Sequence, residues 1–188
     1  MIPNGIFTTR EAESHGINRM QLLAQVEKGE VERLARGVYA RTGGEYASFL
    51  EAAILAKRGT RFVLSLESAL RFHGLTTVVP HALWVAIPRG TRRPAVDFPL
   101  EVTIIDGRMF SAGVEVHGIC GVDVSVYSAA KTVADLFKFR SRVGLALAIE
   151  GMKEGLRGDR FSVDELMRHA EIDRVESVVR PYVEGYFS

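Results

Sequence analysis

The 188-residue sequence predicts an α+β protein, on three observations. Its first forty residues read as helix, tight turn, helix and a two-stranded ribbon. Its middle holds apolar runs and period-two alternation broken by turn residues, as half-buried strands require. From Ser128 onward the apolar residues recur at helical spacing. Helices, then a small mostly antiparallel sheet, then a helical C-terminal part is a segregated α+β order.

Each front element has a local cause. Thr8-Thr9-Arg10-Glu11 is a capping-box pattern, and Gly16 ends the helix it opens. Asn18 caps a second helix, with Gln21 completing a second box and Gly29 stopping it. Two short helices joined across a glycine-containing turn form the helix-turn-helix layout. Met20, Leu23 and Val26 give the second helix an apolar side, with Leu22 beside it. Gln21, Gln25 and Lys28 recur at i, i+4 and i+7 on another face, with Arg19 at its edge. Val31, Leu34, Val38 and Tyr39 supply the ribbon's apolar positions, Gly37 its turn, and Arg33, Arg36 and Arg41 its polar ones. A winged helix-turn-helix domain is therefore expected over 1–44, with Arg41-Thr42-Gly43-Gly44 as hinge, followed by an α+β domain over 45–188.

That layout points to double-stranded DNA. Glutamine and arginine can form paired hydrogen bonds with base edges in the major groove, and lysine suits a phosphate. The candidate DNA-contacting residues are Thr8, Thr9, Asn18, Arg19, Gln21, Gln25, Lys28, Arg33, Arg36 and Arg41. The same residue types also serve as an ordinary solvated helix face, or as charges that keep an edge strand from pairing.

Composition bounds the rest. Net charge is +1, from 24 basic and 23 acidic residues, so any DNA face must come from sorting charges in space. Residues 1–44 are themselves near balance, with Glu11, Glu13, Glu27, Glu30 and Glu32 against the five arginines and Lys28. One cysteine, Cys120, excludes an internal disulfide and a paired-thiolate zinc site, and agrees with a reducing cytoplasm. No apolar run reaches the roughly 18 residues of a membrane helix, and the N-terminus lacks a secretory pattern. A cytoplasmic location, without membrane contact, is expected.

Beyond Gly44, helices are expected over Tyr46 to Lys57, with Phe49, Leu50, Ala53, Ile54 and Ala56 apolar, and over Ser65 to Phe72, capped by Ser65. Strands are expected at Phe62–Leu64, Leu83–Ile87, Leu100–Ile105, Val114–His117 and Val122–Val126, with Asp106-Gly107 as a turn. Further helices follow Ser128 and Ser162, and a last one starts at Asp173 with Pro181 near its end.

The stretch from Gly5 through Phe7-Thr8-Thr9 to Leu34-Ala35-Arg36-Gly37-Val38-Tyr39 resembles the winged-helix domain of the AbiEi family. These are antitoxins of type IV toxin–antitoxin (abortive infection) systems. Leu64–Leu70, His73–Thr76 with Pro80, and Ser128–Phe139 with Lys131-Thr132-Val133-Ala134-Asp135-Leu136-Phe137 resemble the family's second domain. Relatives often carry another helix before the Phe-Thr-Thr segment, and here seven residues precede Thr8, so the three-helix base is expected to be incomplete. The resemblance implies a repressor that binds repeated sites in its own promoter. It also implies an antitoxin domain that counters a nucleotidyltransferase-like toxin without requiring a stable complex.

The sequence carries no recognisable catalytic constellation, no metal-ligand spacing among its five histidines and no cofactor motif, so no catalytic residue, metal or cofactor is expected. Asp97 and Glu101-Val102-Thr103 come nearest to a nuclease core, with Thr103 where a lysine is needed, and Asp123 and Ser125 fail the nucleotidyltransferase carboxylate pair. Arg89, Arg92 and Arg93, with Lys138, Arg140 and Arg142, form a candidate second basic surface for nucleic acid or an acidic partner. Two other readings stand beside the repressor. One is a protein-interaction module that no longer binds DNA specifically; the other is a nuclease-like enzyme.

Overall fold

The computed structural model describes residues 2–44 and 49–188. By internal contacts the chain divides into one unit of Met1–Arg61, Pro94–Phe98 and Val116–Val124, and a second of Phe62–Arg93, Pro99–Glu115 and Ser125–Ser188.

The first unit opens with strand β1 (Ile6–Thr8), helix α1 (Thr9–Ser14) and helix α2 (Arg19–Glu27). Strands β2 (Val31–Ala35) and β3 (Val38–Arg41) follow, then helix α3 (Leu50–Lys57). The strands form an antiparallel sheet in the order β1-β3-β2, so Phe7 adds a third strand to the expected ribbon. Register places Phe7 opposite Tyr39 and Tyr39 opposite Arg33, which puts these side chains on one face. There Phe7 and Tyr39 stack and pack with Ala12, Ile17, Leu22 and Val31. The other face, Ile6, Val38 and Ala40, is buried as well, and α3 packs on β1. A sheet buried on both faces needs a layer on each side. Here α1 and α2 form one, while α3, downstream of the hairpin, stands on β1. Lys57 of α3 reaches Glu11 of α1 at 2.6 Å.

Helix α3 begins at Leu50; the expected start at Tyr46 lies outside the described residues. Ala52, Ala53, Ile54 and Leu55 are all buried, more than one face of a helix.

The second unit contributes β4 (Val63–Leu64), α4 (Leu66–Phe72), β5 (Leu83–Pro88), β6 (Leu100–Ile105) and α5 (Gly107–Ser111). Strands β7 (Val114–Ile119) and β8 (Val122–Tyr127), whose Val116–Val124 stretch is counted with the first unit, complete a five-stranded sheet, β6-β5-β4-β8-β7. Helices α6 (Ala129–Lys138), α7 (Arg140–Val143), α8 (Leu145–Arg157), α9 (Val163–Ile172) and α10 (Glu176–Tyr186) close the chain. The class is α+β, but the larger sheet is more mixed than its strand order suggested. β4 and β5 pair antiparallel, whereas β5/β6 and β4/β8 are parallel. A crossover through residues 89–99 carries the chain back before β6, so adjacent strands run the same way.

Three local expectations change. Asp106-Gly107 opens the short helix α5 rather than a hairpin turn. Ser65 stands at the start of α4 but makes no side-chain cap, and its hydroxyl is buried without a partner among the described residues. Asp173 ends α9 instead of starting the last helix, which begins at Glu176 and holds Pro181 near its middle.

Helix α6 is the hub: every residue from Ala129 to Phe137 is buried, and α4, α8 and α9 pack around it. Two of its ionisable groups, Lys131 and Asp135, are therefore inside. Lys131 Nζ lies 2.5 Å from Asp135 Oδ1 and 2.9 and 3.0 Å from the Asp173 carboxylate oxygens, all three side chains fully buried. The ammonium also stands 4.9 Å from the centroid of the Tyr127 ring. Gly113 fits beside this cluster because it lacks a side chain; a Cβ there would approach Lys131 Cβ to 2.7 Å and His169 Cε1 to 2.9 Å.

Candidate nucleic-acid interface

The candidate interface residues lie on α1, α2 and the β2–β3 hairpin. Thr8 begins α1 with a complete capping box: its amide and hydroxyl donate to Glu11 Oε2 at 2.7 and 3.0 Å, and its hydroxyl accepts from the Glu11 amide. The Thr8 hydroxyl is thus committed to the helix start. The Thr9 amide donates to the Gly37 carbonyl, which ties the start of α1 to the hairpin turn. Gly37 takes φ 77°, the left-handed conformation that the tight Arg36-Gly37 turn requires.

At the start of α2, Asn18 Oδ1 accepts from the Gln21 amide at 3.0 Å, and Gln21 Oε1 accepts from the Asn18 amide at 2.9 Å. Gln21 is expected both to cap and to read bases. In the structure its carbonyl oxygen is occupied, leaving the Nε2 amine for an outside acceptor.

The expected sorting of α2 changes. Leu22 is its buried residue, with Val26 one turn on packed against the same core. Met20 and Leu23, expected inside, are 74% and 43% exposed. The reason is the position of the sheet: the i, i+4 pair Leu22/Val26 aims at Phe7, Tyr39 and Val31, which rotates Met20 outward. The same rotation draws Gln25 toward the core. It is half-buried, and its Oε1 has no hydrogen-bond partner among the described residues. Arg19, Met20, Gln21, Ala24, Glu27 and Lys28 remain exposed.

On the hairpin, Arg36 is exposed at the turn, and Arg33 and Arg41 are exposed on the strands. Arg33 Nε folds back onto the Ala35 carbonyl at 3.4 Å, beside a register shift between Arg33 and Ala35. Exposed Glu27, Glu30 and Glu32 stand on the same elements, so the charge of the hairpin and helix is mixed.

The second basic set is mostly tied internally. Arg89 holds Asp106 at 2.6 Å, Arg93 donates to the Leu100 carbonyl, and Lys138 to the Asp173 carbonyl. Arg140 donates to the Phe137 carbonyl. Arg142 bridges Thr103 and Glu101 and covers the Trp84 ring. Arg92 is exposed. Of these six residues, Arg89 and Lys138 line one cleft. Glu101 and Thr103, nearest to a nuclease pattern, are the partners of Arg142, and no group of three His, Cys, Asp or Glu that could hold a metal occurs among the described residues.

Two helices across a short turn, a hairpin pinned to the first of them, and an exposed face on the second define a winged helix-turn-helix protein. Within that class, residues 4–42 match the family model described as transcriptional regulator, AbiEi antitoxin. No curated protein matches the chain. No helix among the described residues is long and apolar enough to cross a membrane.

Proposed function

We propose that the chain is a repressor that binds double-stranded DNA at repeated sites in its own promoter, with α2 in the major groove. The observation that carries this reading is the exposed face of α2, braced by a hairpin with Arg36 at its turn, inside the family-matched segment. Arg19 and the Gln21 amine would read base edges, Met20 and Ala24 would meet thymine methyls, and Lys28, Arg33, Arg36 and Arg41 would hold phosphates. Thr8, Thr9 and Asn18 would position the helices, and the half-buried Gln25 would contribute least. Residues 45–188 would serve as the antitoxin part, countering a nucleotidyltransferase-like toxin in the cytoplasm without a stable complex. That half rests on the resemblance of the Leu64–Thr76 and Lys131–Phe137 stretches.

The test is binding to the upstream promoter fragment against random DNA at several salt concentrations. A real contact set gives a log–log slope of about −0.9 per phosphate neutralised and a clear preference for the promoter. Equal affinity for both DNAs overturns the repressor reading.

A second reading draws on the exposure of Met20 and Leu23, which is unusual for a solvated helix face. In it α2 docks a protein. Co-purification with a stable partner, and no DNA shift at low salt, would favour it.

A further inference from the structure

The second unit contains a cleft of about 560 Å³ that neither the repressor nor the antitoxin reading uses. Its walls come from the end of β6, the start of α5, the last turn of α6 and the turn after α9. Four cations line it: Arg89, Arg108, Lys138 and Arg174. The acids there are Asp106, Asp173 and Glu171. Asp106 is bonded by Arg89, and Asp173 is engaged by buried Lys131, so Glu171 alone opposes the remaining Arg108, Lys138 and Arg174.

These cations retain donors. Arg89 is tied through its backbone amide and Nε only, and Lys138 gives one hydrogen bond to the Asp173 carbonyl. The Arg108 and Arg174 side chains have no bonded partner among the described residues. Arg174 also sits at φ 59°, a left-handed position after α9 where glycine is the unstrained choice. Strain of this kind persists where the side chain or its surroundings require it.

The opposite character lies alongside. Ile104, 62% exposed, lines the cleft with Met109 and Ile172. Several unpaired donors beside an apolar wall, in a cleft of small-molecule size, suit an anion with a flat or apolar body.

We propose that this cleft binds a nucleoside phosphate, its phosphates on Arg108, Lys138 and Arg174 and its base against Ile104, Met109 and Ile172. The assignment is independent of DNA binding by the first unit.

The experiment is calorimetric titration of the full chain with ATP, GTP and inorganic pyrophosphate at low salt. Saturable binding, tighter for a nucleotide than for pyrophosphate, is expected. Arg174→Gly removes a cation while relieving the left-handed backbone, so it should fold at least as well as wild type and bind about tenfold more weakly. Arg108→Ala should weaken binding similarly, and Arg157→Ala, on α8 away from the cleft, should leave it unchanged. No saturable binding up to millimolar nucleotide overturns the proposal. So does undiminished affinity in both Arg174→Gly and Arg108→Ala, or equal affinity for pyrophosphate and nucleotides.

Discussion

Lys57 Nζ lies 2.6 Å from Glu11 Oε1, joining the helix after the hairpin to the first helix of the helix-turn-helix. The same carboxylate takes the amide and hydroxyl of Thr8 on its other oxygen. Glu11 therefore caps α1 and anchors α3 at once. The first unit thus has a third helix, one that enters from downstream of its hairpin.

Glu11→Ala should destabilise the first unit by about 1–2 kcal/mol, most of it the capping box, because a half-exposed ion pair is screened by solvent. Glu11→Gln keeps an acceptor for Thr8 and loses the Lys57 charge, so it should cost less than about 1 kcal/mol. Burial pushes the Glu11 carboxyl up, but hydrogen bonds from Lys57 and Thr8 outweigh it and hold it below the ordinary 4.5. A depressed carboxyl stabilises the fold above its unfolded pKa and loses that contribution as pH falls through the folded value. The gap between wild type and Glu11→Gln in thermal melts should accordingly close below pH 4.5. A gap that persists in acid would show that the Lys57 pair contributes nothing.

Gln21 separates folding from recognition. Gln21→Glu preserves an acceptor for the Asn18 amide and places an acid in the first turn, so stability should hold. It removes the Nε2 donor, and promoter affinity should drop by about 1–3 kcal/mol. Gln21→Ala should lower both, with about 1 kcal/mol lost from the helix start. Melting curves and gel shifts on the two variants check this; wild-type promoter affinity in Gln21→Glu would remove Gln21 from the reading set.

The buried cluster in α6 gives the second unit a pH signature. Burial drives the Asp135 carboxyl up to about 7; Lys131 pulls it down, and Asp173 pushes it up again. A raised carboxyl favours the fold when protonated, so its contribution is complete below the unfolded value and lost as pH rises through about 7. His169, in contrast, is held below its ordinary 6.5 by burial and by Lys131, which disfavours the fold in acid. Asp135→Asn isolates the first effect: wild type should lose stability relative to this variant as pH rises through about 7 in denaturant titrations. A pH-independent difference would contradict it. Lys131→Met should cost about 3–5 kcal/mol, since it strands two carboxylates in the core.

Short-range chemistry was legible in the sequence. The capping boxes at Thr8/Glu11, Asn18/Gln21 and Ser162/Glu165 form as their spacing requires, because each needs only one helical turn. Strands β5, β6, β7 and β8 fall where apolar runs and alternation put them. The rotation of α2 was not legible: Met20-Gln21-Leu22-Leu23 offers two apolar stripes of similar quality, and local pattern cannot choose between them. The cleft was hidden as well, since Arg108 and Arg174 lie outside both basic clusters and meet Arg89 and Lys138 only in the folded unit.

Caps, glycines and periodicity act within a few residues, so they fix in advance the helix-turn-helix, strands β5 to β8 and the α+β order, but not strand β1, helix α5 or the start of α10. Tertiary structure alone decided that Leu22 rather than Met20 enters the core, that α3 packs on β1, that β5 and β6 run parallel, and that Lys131 lies between Asp135 and Asp173. Those outcomes depend on which distant surfaces meet, and burial of apolar area and of charge is settled only when they do.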